Sequence, residues 1–497
     1  MPRRFWRLRN LLRMPLTEAS DQYSIWVGLV YILNLIVSTG ALTLPAAFAR
    51  AGWALSSITL LFLAFLSYLN ATYVIESMAC ANAVNKWRHL QSIRRDSIQH
   101  QDSDDEDPSE PREQHDEPLI CGATVPSRYY SLDTRVELGE MANMFLNKPG
   151  RALFYVALCG YLYGDLAIYS VAVSKSITDV VCTPLNSTTA WDALPCFPPP
   201  AGPTRLQFYR GALLAFVGAL GPFVFFNVQK TKYLQLFSSG MRGLAFTIMI
   251  SMAISILIRD GPRGAPVPFH FPGLPSMFGA CVYAFMCHHS LPSVVTPIKQ
   301  KRRLGTYLTL DYTLIAVFYL LLAFTGTFAF AKLNDLYTLN FVPQGNDSTL
   351  LKIVEYFLAL FPVFTISTNF PIIAITLRNN LQSLFLDTSR LESYNFVVRR
   401  LLFPVITVLP PLLLCYFCED INTLIEFTAS YAGTGIQYLI PTFLVVSARR
   451  YCANLIGPGV INDYRSPFRS IIWAIFVLLW WLMCIILVTV NIFEKKS

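Results

Sequence analysis

Long apolar runs alternate with short polar tracts along the whole chain. The runs fall near residues 24–48, 53–83, 153–180, 209–228, 237–258, 274–297, 308–331, 353–377, 401–417, 423–446 and 471–490. About 20 consecutive apolar residues carry a helix across a hydrocarbon core. The pattern therefore predicts an all-α polytopic membrane protein with eleven transmembrane helices. The resulting division is a cytoplasmic N-terminal tail (1–23), helices 1–2 (24–83), a cytoplasmic insert (84–150) and helices 3–5 (151–258). Helices 6–10 (259–446) follow, and then a cytoplasmic loop, helix 11 and an outer tail (447–497).

Composition agrees with the pattern. The chain has 497 residues, of which 54% are hydrophobic and only 14% charged. A soluble domain is about a quarter charged, so too little polar surface exists to coat a water-soluble protein. Disorder as the main state, collagen and a small disulfide scaffold are excluded on the same numbers. A seven-helix receptor would leave several spans unexplained. The net charge of +8 lies in short tracts between apolar runs rather than in a basic domain, which argues against nucleic acid as a partner.

Those tracts set an orientation. Arg3, Arg4, Arg7, Arg9 and Arg13 precede the first run, which is too long for a cleaved leader and reads as an uncleaved helix with its N-terminus in the cytoplasm. The predicted outer segments hold only Arg205, Arg259, Arg263, Lys332, Lys352, Lys495 and Lys496. Clusters at Lys230/Lys232, Lys299/Lys301/Arg302/Arg303, Arg399/Arg400 and Arg449/Arg450 fall on the cytoplasmic side, as the positive-inside rule requires. The glycosylation sequons at Asn186 and Asn346 fall in outer loops, whereas Asn70 lies inside a helix and is discarded. Cys182 and Cys196 share the loop of Asn186. In that oxidising compartment they read either as a disulfide or as two unpaired thiols. The membrane is left open between the plasma membrane and a lysosomal or other endomembrane, the latter suggested by the loose acidic di-leucine tract at Leu119-Ile120.

The insert is acidic from Gln101 to Glu117 and poor in apolar residues, so it reads as a disordered tether or as a regulated segment with phosphorylation candidates Ser97 and Ser103. The stretch Thr134–Leu146 then predicts an amphipathic helix closed by Lys148-Pro149-Gly150.

Two spans carry helix-hostile chemistry in mid-membrane. The first reads Asn34-Leu-Ile-Val-Ser38-Thr39-Gly40-Ala-Leu-Thr43-Leu-Pro45. The sixth reads Phe285-Met-Cys287-His288-His289-Ser290-Leu-Pro292. The prolines lie 292 − 45 = 247 residues apart, about half the chain. Each break alone reads as a packed proline kink or as an unwound segment. The matched pair points to a 5+5 inverted repeat, in which unwound backbone binds solute and ion near the bilayer centre. The reason is that hydrocarbon offers no partner to a free N–H or C=O. Candidate substrate-binding residues are Ser38, Thr39, Gly40, Phe285, Cys287, His288, His289 and Ser290.

The motif Asn34-x-x-Val37-x-Thr39-Gly40-x-Leu42-x-Leu44-Pro45 is similar to the first-helix signature of the amino acid/auxin permease family, within the amino acid–polyamine–organocation superfamily. Phe285-x-Cys287-His288-x-x-Leu291-Pro292 resembles its sixth-helix signature, and Gly164-Asp165 and Gly433-Thr-Gly435…Pro441 fit the same pattern. The resemblance spans nearly all of the chain except the acidic insert. It implies a leucine-transporter-type fold and secondary active transport of amino acids, with Asn34 matching a sodium-binding asparagine. One departure is Ser38, where the family usually has glycine, so substrate identity does not carry over.

Ionisable groups inside spans are functional candidates. Asp165 is a candidate carrier of a coupling proton or a structural partner for a hydroxyl or helix end. Glu426 reads as an interfacial charge. Thr365, Ser367 and Thr368 are candidate cation ligands beside the first helix, or hydroxyls bonded to their own backbone. No ligand spacing for a metal, no cofactor motif and no nucleophile–base pair stands out, so the coupling species expected is Na+ or H+ and an enzyme is not expected. Two function classes follow. One is a secondary transporter of amino acids or similar small solutes. The other is a transporter-like sensor or scaffold that signals through the acidic loop.

Overall fold

The computed structural model describes residues 22–37, 39–101, 129–182, 194–197, 202–225, 232–342, 349–386, 401–457 and 459–494. The expectations at Ser38, Asn186, Asn346, Leu119-Ile120 and Ser103, and nearly all of the acidic segment, lie outside those residues.

Among the described residues the chain is all-helical, with isolated β-bridges and no strand. In order, the helices are α1 (Ile25–Ile36), α2 (Thr39–Ala51), α3 (Trp53–Gln101), α4 (Leu138–Phe145), α5 (Lys148–Val181), α6 (Arg205–Leu220), α7 (Lys232–Asp260) and α8 (Leu274–Ala284). They continue as α9 (Leu291–Val295), α10 (Leu304–Ala329), α11 (Thr349–Ala359), α12 (Phe361–Phe385), α13 (Phe403–Phe417), α14 (Ile421–Phe427), α15 (Ile440–Leu455) and α16 (Ile471–Glu494). Seven spans are long and apolar enough to cross a membrane, or eight if the bent pair α1–α2 is one span. The chain is thus an all-α polytopic membrane protein. The other three apolar runs fall short of that length for visible reasons. The sixth is interrupted between α8 and α9, the ninth supplies the 15-residue α13, and the tenth carries two π-helical segments, Thr428–Gly433 and Gly435–Leu439, between α14 and α15.

Local chemistry sets several boundaries. Ser24 caps α1 by accepting from the Val27 N–H at 3.4 Å. Gly52 turns the chain from α2 into α3 at φ +88°, where a Cβ would meet the Val267 carbonyl oxygen at 2.6 Å. Two boundaries differ from the pattern-based expectation. Lys148-Pro149-Gly150 opens α5 instead of closing α4, because Asn147 caps the Gly150 N–H at 3.0 Å and Pro149 sits in the first turn, where its missing N–H costs nothing. The second run continues helically to Gln101, since no proline or glycine interrupts residues 84–101.

Apolar side chains on the bundle's flanks, such as Val317 (57% exposed) and Ile472 (71%), face outward as lipid-facing residues do. Inside, α2 packs on α8, α12 lies along α5, and α10 packs on both α2 and α3. Cys182 and Cys196 are joined by a disulfide. Asn70 is fully buried, donating to the Leu66 carbonyl (2.9 Å) and accepting from Thr442 (3.3 Å).

Candidate functional site at the paired helix breaks

A helix that stops inside a membrane strands its last carbonyls. In the first break these are met by side chains from elsewhere. Arg242 on α7 donates Nη1 to the Asn34 carbonyl at 2.5 Å and to the Val37 carbonyl at 3.0 Å. Tyr319 on α10 reaches the Ile36 carbonyl at 3.0 Å. On the far side of the break, Thr43 donates to the Gly40 carbonyl at 3.0 Å.

The second break is satisfied the same way. The Tyr319 hydroxyl also lies 2.9 Å from the Ala284 carbonyl. Ser67 on α3 donates to the Phe285 carbonyl at 3.2 Å, and the Cys287 Sγ lies 3.2 Å from the Tyr312 hydroxyl. His288 Nε2 lies 3.1 Å from the Ser67 carbonyl, which can only accept. The hydrogen-bond network therefore assigns the proton to Nε2 and leaves Nδ1 as a buried acceptor without a partner. His289 Nδ1 is likewise buried and unpartnered. The two breaks meet: α2 and α8 touch through their backbones at Gly40 and Ala284, and Tyr319 bridges the end of α1 to the end of α8.

Asp165 reaches this region from α5. It is buried, and the Tyr283 hydroxyl donates to its Oδ1 at 2.5 Å, two residues before the second break. Tyr161, one turn earlier, contacts the rings of Tyr283 (6.5 Å between centroids) and His289 (5.6 Å). Gly164 is packed so tightly on Thr428 that a Cβ there would overlap its side chain. The same helix face continues to Tyr169, beside Thr39 and Arg242. Among the described residues no cation pairs with Asp165, so in a span its charge is left to a proton or to a cationic ligand.

The geometry thus brings Thr39, Gly40, Phe285, Cys287, His288, His289 and Asp165 to one region, with Ser290 at the start of α9. The proposed cation ligands are arranged differently. Asn34 meets the region through its carbonyl, taken by Arg242. Thr365 donates to the Phe361 carbonyl (2.9 Å) and Thr368 to the Thr365 carbonyl (2.8 Å), with the Thr368 hydroxyl also 3.4 Å from that of Ser238 on α7, and Ser367 is half-buried beside them. Glu426 lies against Gly279 of α8. Arg242, Tyr319, Ser67 and the buried Asp311, whose Oδ2 lacks a partner, are not among the residues picked out by motif. For Arg242 and Asp311 the signal was present, as charges within apolar runs. Among the described residues no group of three His, Cys, Asp or Glu could hold a metal ion.

Comparison with known proteins gives a consistent match. The family model described as "Transmembrane amino acid transporter protein" matches residues 21–89 and 121–489. The chain is 48% identical over 508 residues to the Transmembrane protein 104 homolog of Drosophila melanogaster, covering 96% of this chain and 98% of that one. It is 46% identical over 501 residues to Transmembrane protein 104 of Homo sapiens (97% and 99% covered). It is 32% identical over 509 residues to the Dictyostelium discoideum homolog (95% and 97% covered).

Proposed function

Because the chain belongs to the transmembrane amino acid transporter family, we propose that it is a secondary active transporter of amino acids or similar small solutes. It works by alternating access around the paired breaks and is driven by protons through Asp165. The observation that carries this reading is the meeting of the two breaks, bridged by Tyr319. Breaks in membrane helices bind polar ligands, and a zwitterion suits a site with a half-helix N-terminus at Thr39 and an uncompensated carboxyl at Asp165.

The eleven-span, 5+5 inverted-repeat arrangement is supported by the packing. Elements five spans apart lie against each other at α2 and α8, α3 and α10, α5 and α12, and α6 and α13. That is the pairing a pseudo-two-fold axis in the membrane plane would generate. The N-terminus is cytoplasmic in this reading, on the bias of basic residues. Asn186, Asn346 and the Cys182–Cys196 disulfide then face the exoplasmic or lumenal side. In this reading the substrate pathway runs along Thr39 and the Phe285–Ser290 segment, where the two breaks meet.

The test is flux of an amino-acid panel into proteoliposomes holding the full chain, under a proton gradient. Uptake of at least one solute that follows the proton gradient is expected. Asp165→Asn should uncouple it, leaving exchange but abolishing gradient-driven accumulation. Absence of flux for every solute, with folded protein verified in the same vesicles, would overturn the reading.

A further inference from the structure

Arg242 lies inside the membrane span Phe237–Asp260, towards its N-terminal end, and only 9% of it is exposed. A guanidinium taken out of water is normally matched to a carboxylate. Among the described residues no carboxylate pairs with Arg242. The titratable groups that face it are the phenols of Tyr169 and Tyr319. Its charge is instead met by the Asn34 and Val37 carbonyls, at 2.5 and 3.0 Å. These belong to the last turn of α1, the negative end of that half-helix. Carbonyls freed by a helix break, with hydroxyl side chains close by, are the ligand set a small monovalent cation takes in a broken-helix carrier. In this chain a covalently attached cation already holds them.

We propose that Arg242 is a tethered cation that occupies the ion position at the end of α1, so that sodium neither binds there nor drives the protein. The carbonyl lone pairs that would ligate sodium accept from Nη1, and a second positive charge would sit against the guanidinium. A consequence concerns motion. An ion leaves its site and frees the half-helix it held. Arg242 cannot leave, so α1 can move only with α7 or by breaking these two hydrogen bonds. The inference deepens the transporter reading, yet its core concerns binding and does not need flux.

The experiment uses the purified full-length protein in detergent and reads 22Na+ binding and thermal stability in sodium against choline at equal ionic strength. The wild type is expected to bind no sodium and to melt at the same temperature in both salts. Arg242→Ala, which vacates the carbonyls, should gain sodium binding and a sodium-specific rise in Tm of about 2–4 °C. Arg242→Lys keeps a tethered cation and should remain sodium-blind, which also covers the case in which the alanine variant fails to fold. Sodium binding or sodium stabilisation of the wild type, or of Arg242→Lys, would overturn the proposal. So would a folded Arg242→Ala that gains neither. Failure of every solute to be transported would count against the carrier reading alone, because these readouts need no transport.

Discussion

Gly40 is pressed against the backbone of Ala284: a Cβ on Gly40 would lie 2.6 Å from the Ala284 Cα and 2.7 Å from its nitrogen. No side chain could swing away to relieve that contact, because backbone opposes it on one side and the methyl is rigid on the other. Gly40 therefore serves as the packing point that lets α2 and α8 close on each other, and a large residue there would part the two helices rather than merely fill a solute site. Gly40→Ala should destabilise the protein by about 1–3 kcal/mol, the usual cost of overpacking a rigid contact. Gly160→Ala is the control, since its Cβ would meet only the Ala432 methyl, at 3.6 Å. Detergent melting of both variants checks this, and equal Tm values would refute it.

Tyr319 carries one hydroxyl proton for two stranded carbonyls, Ile36 and Ala284. Tyr319→Phe keeps the ring and its edge-on contact with Phe285 (5.1 Å between centroids) while removing the bridge. Leaving a buried acceptor unpaired costs about 1–3 kcal/mol. The fall in stability should exceed that of Tyr356→Phe, whose ring lies exposed on the bundle's flank. Solute uptake should fall as well, because both half-helix ends lose their common anchor. Unchanged uptake with an unchanged Tm would show that the bridge contributes nothing.

These two residues illustrate what the sequence makes legible. The breaks themselves are local events, written in Ser38-Thr39-Gly40…Pro45 and His288-His289-Ser290…Pro292, and the chain does break there. The partners that make the breaks tolerable are not local. Arg242 acts from about 200 residues away, Tyr319 from about 280, and Ser67 satisfies a carbonyl of Phe285 from the second span. No periodicity or spacing rule links such positions, although Arg242 advertises itself as a charge in an apolar run. At Lys148-Pro149-Gly150 two local signals compete, since proline follows helices and also opens them. Asn147, a capping residue directly upstream, decides for opening. The hydroxyls of Thr365 and Thr368 are ambiguous from sequence for a similar reason: a carbonyl one turn back is always within reach.

On the opposite side of the bundle from the Arg50 end, Glu76 of α3 and Arg449 of α15 form a two-pronged ion pair, at 2.8 and 2.7 Å. The Ser466 N–H adds a third bond to Glu76 at 3.0 Å. Glu76 is almost fully buried, so removing its partner strands a charge. Arg449→Ala should cost about 3 kcal/mol or more, whereas replacing both residues together by apolar ones should cost less than the two single changes summed. A double-mutant cycle on thermal stability measures the coupling. Additive losses would mean that the pair acts only through separate packing.

The two ends of the broken helices are latched separately, and the latches should have opposite effects on access. At one end Tyr23 pairs its backbone with Pro297 and Lys299, both at 3.1 Å, and donates its hydroxyl to the Val294 carbonyl, tying the start of α1 to the end of α9. At the other end Arg50 of α2 forms an ion pair with Asp335 beyond α10, and the Ala51 carbonyl accepts from the His270 N–H at 2.9 Å ahead of α8. Both latches are closed while the residues around the breaks are buried, which is an occluded arrangement. Losing one hydrogen bond worth about 1 kcal/mol shifts a two-state equilibrium about fivefold. Tyr23→Phe should therefore raise the labelling rate of buried Cys287, kept as the sole free thiol, severalfold from the side that bears the N-terminus. Asp335→Asn removes a half-exposed ion pair of smaller worth, so its effect should be weaker and should come from the other side. Membrane-impermeant maleimide applied to sealed vesicles of each orientation separates the two routes. If both variants are labelled from one side only, the latches do not gate opposite faces, and alternating access around these breaks fails with them.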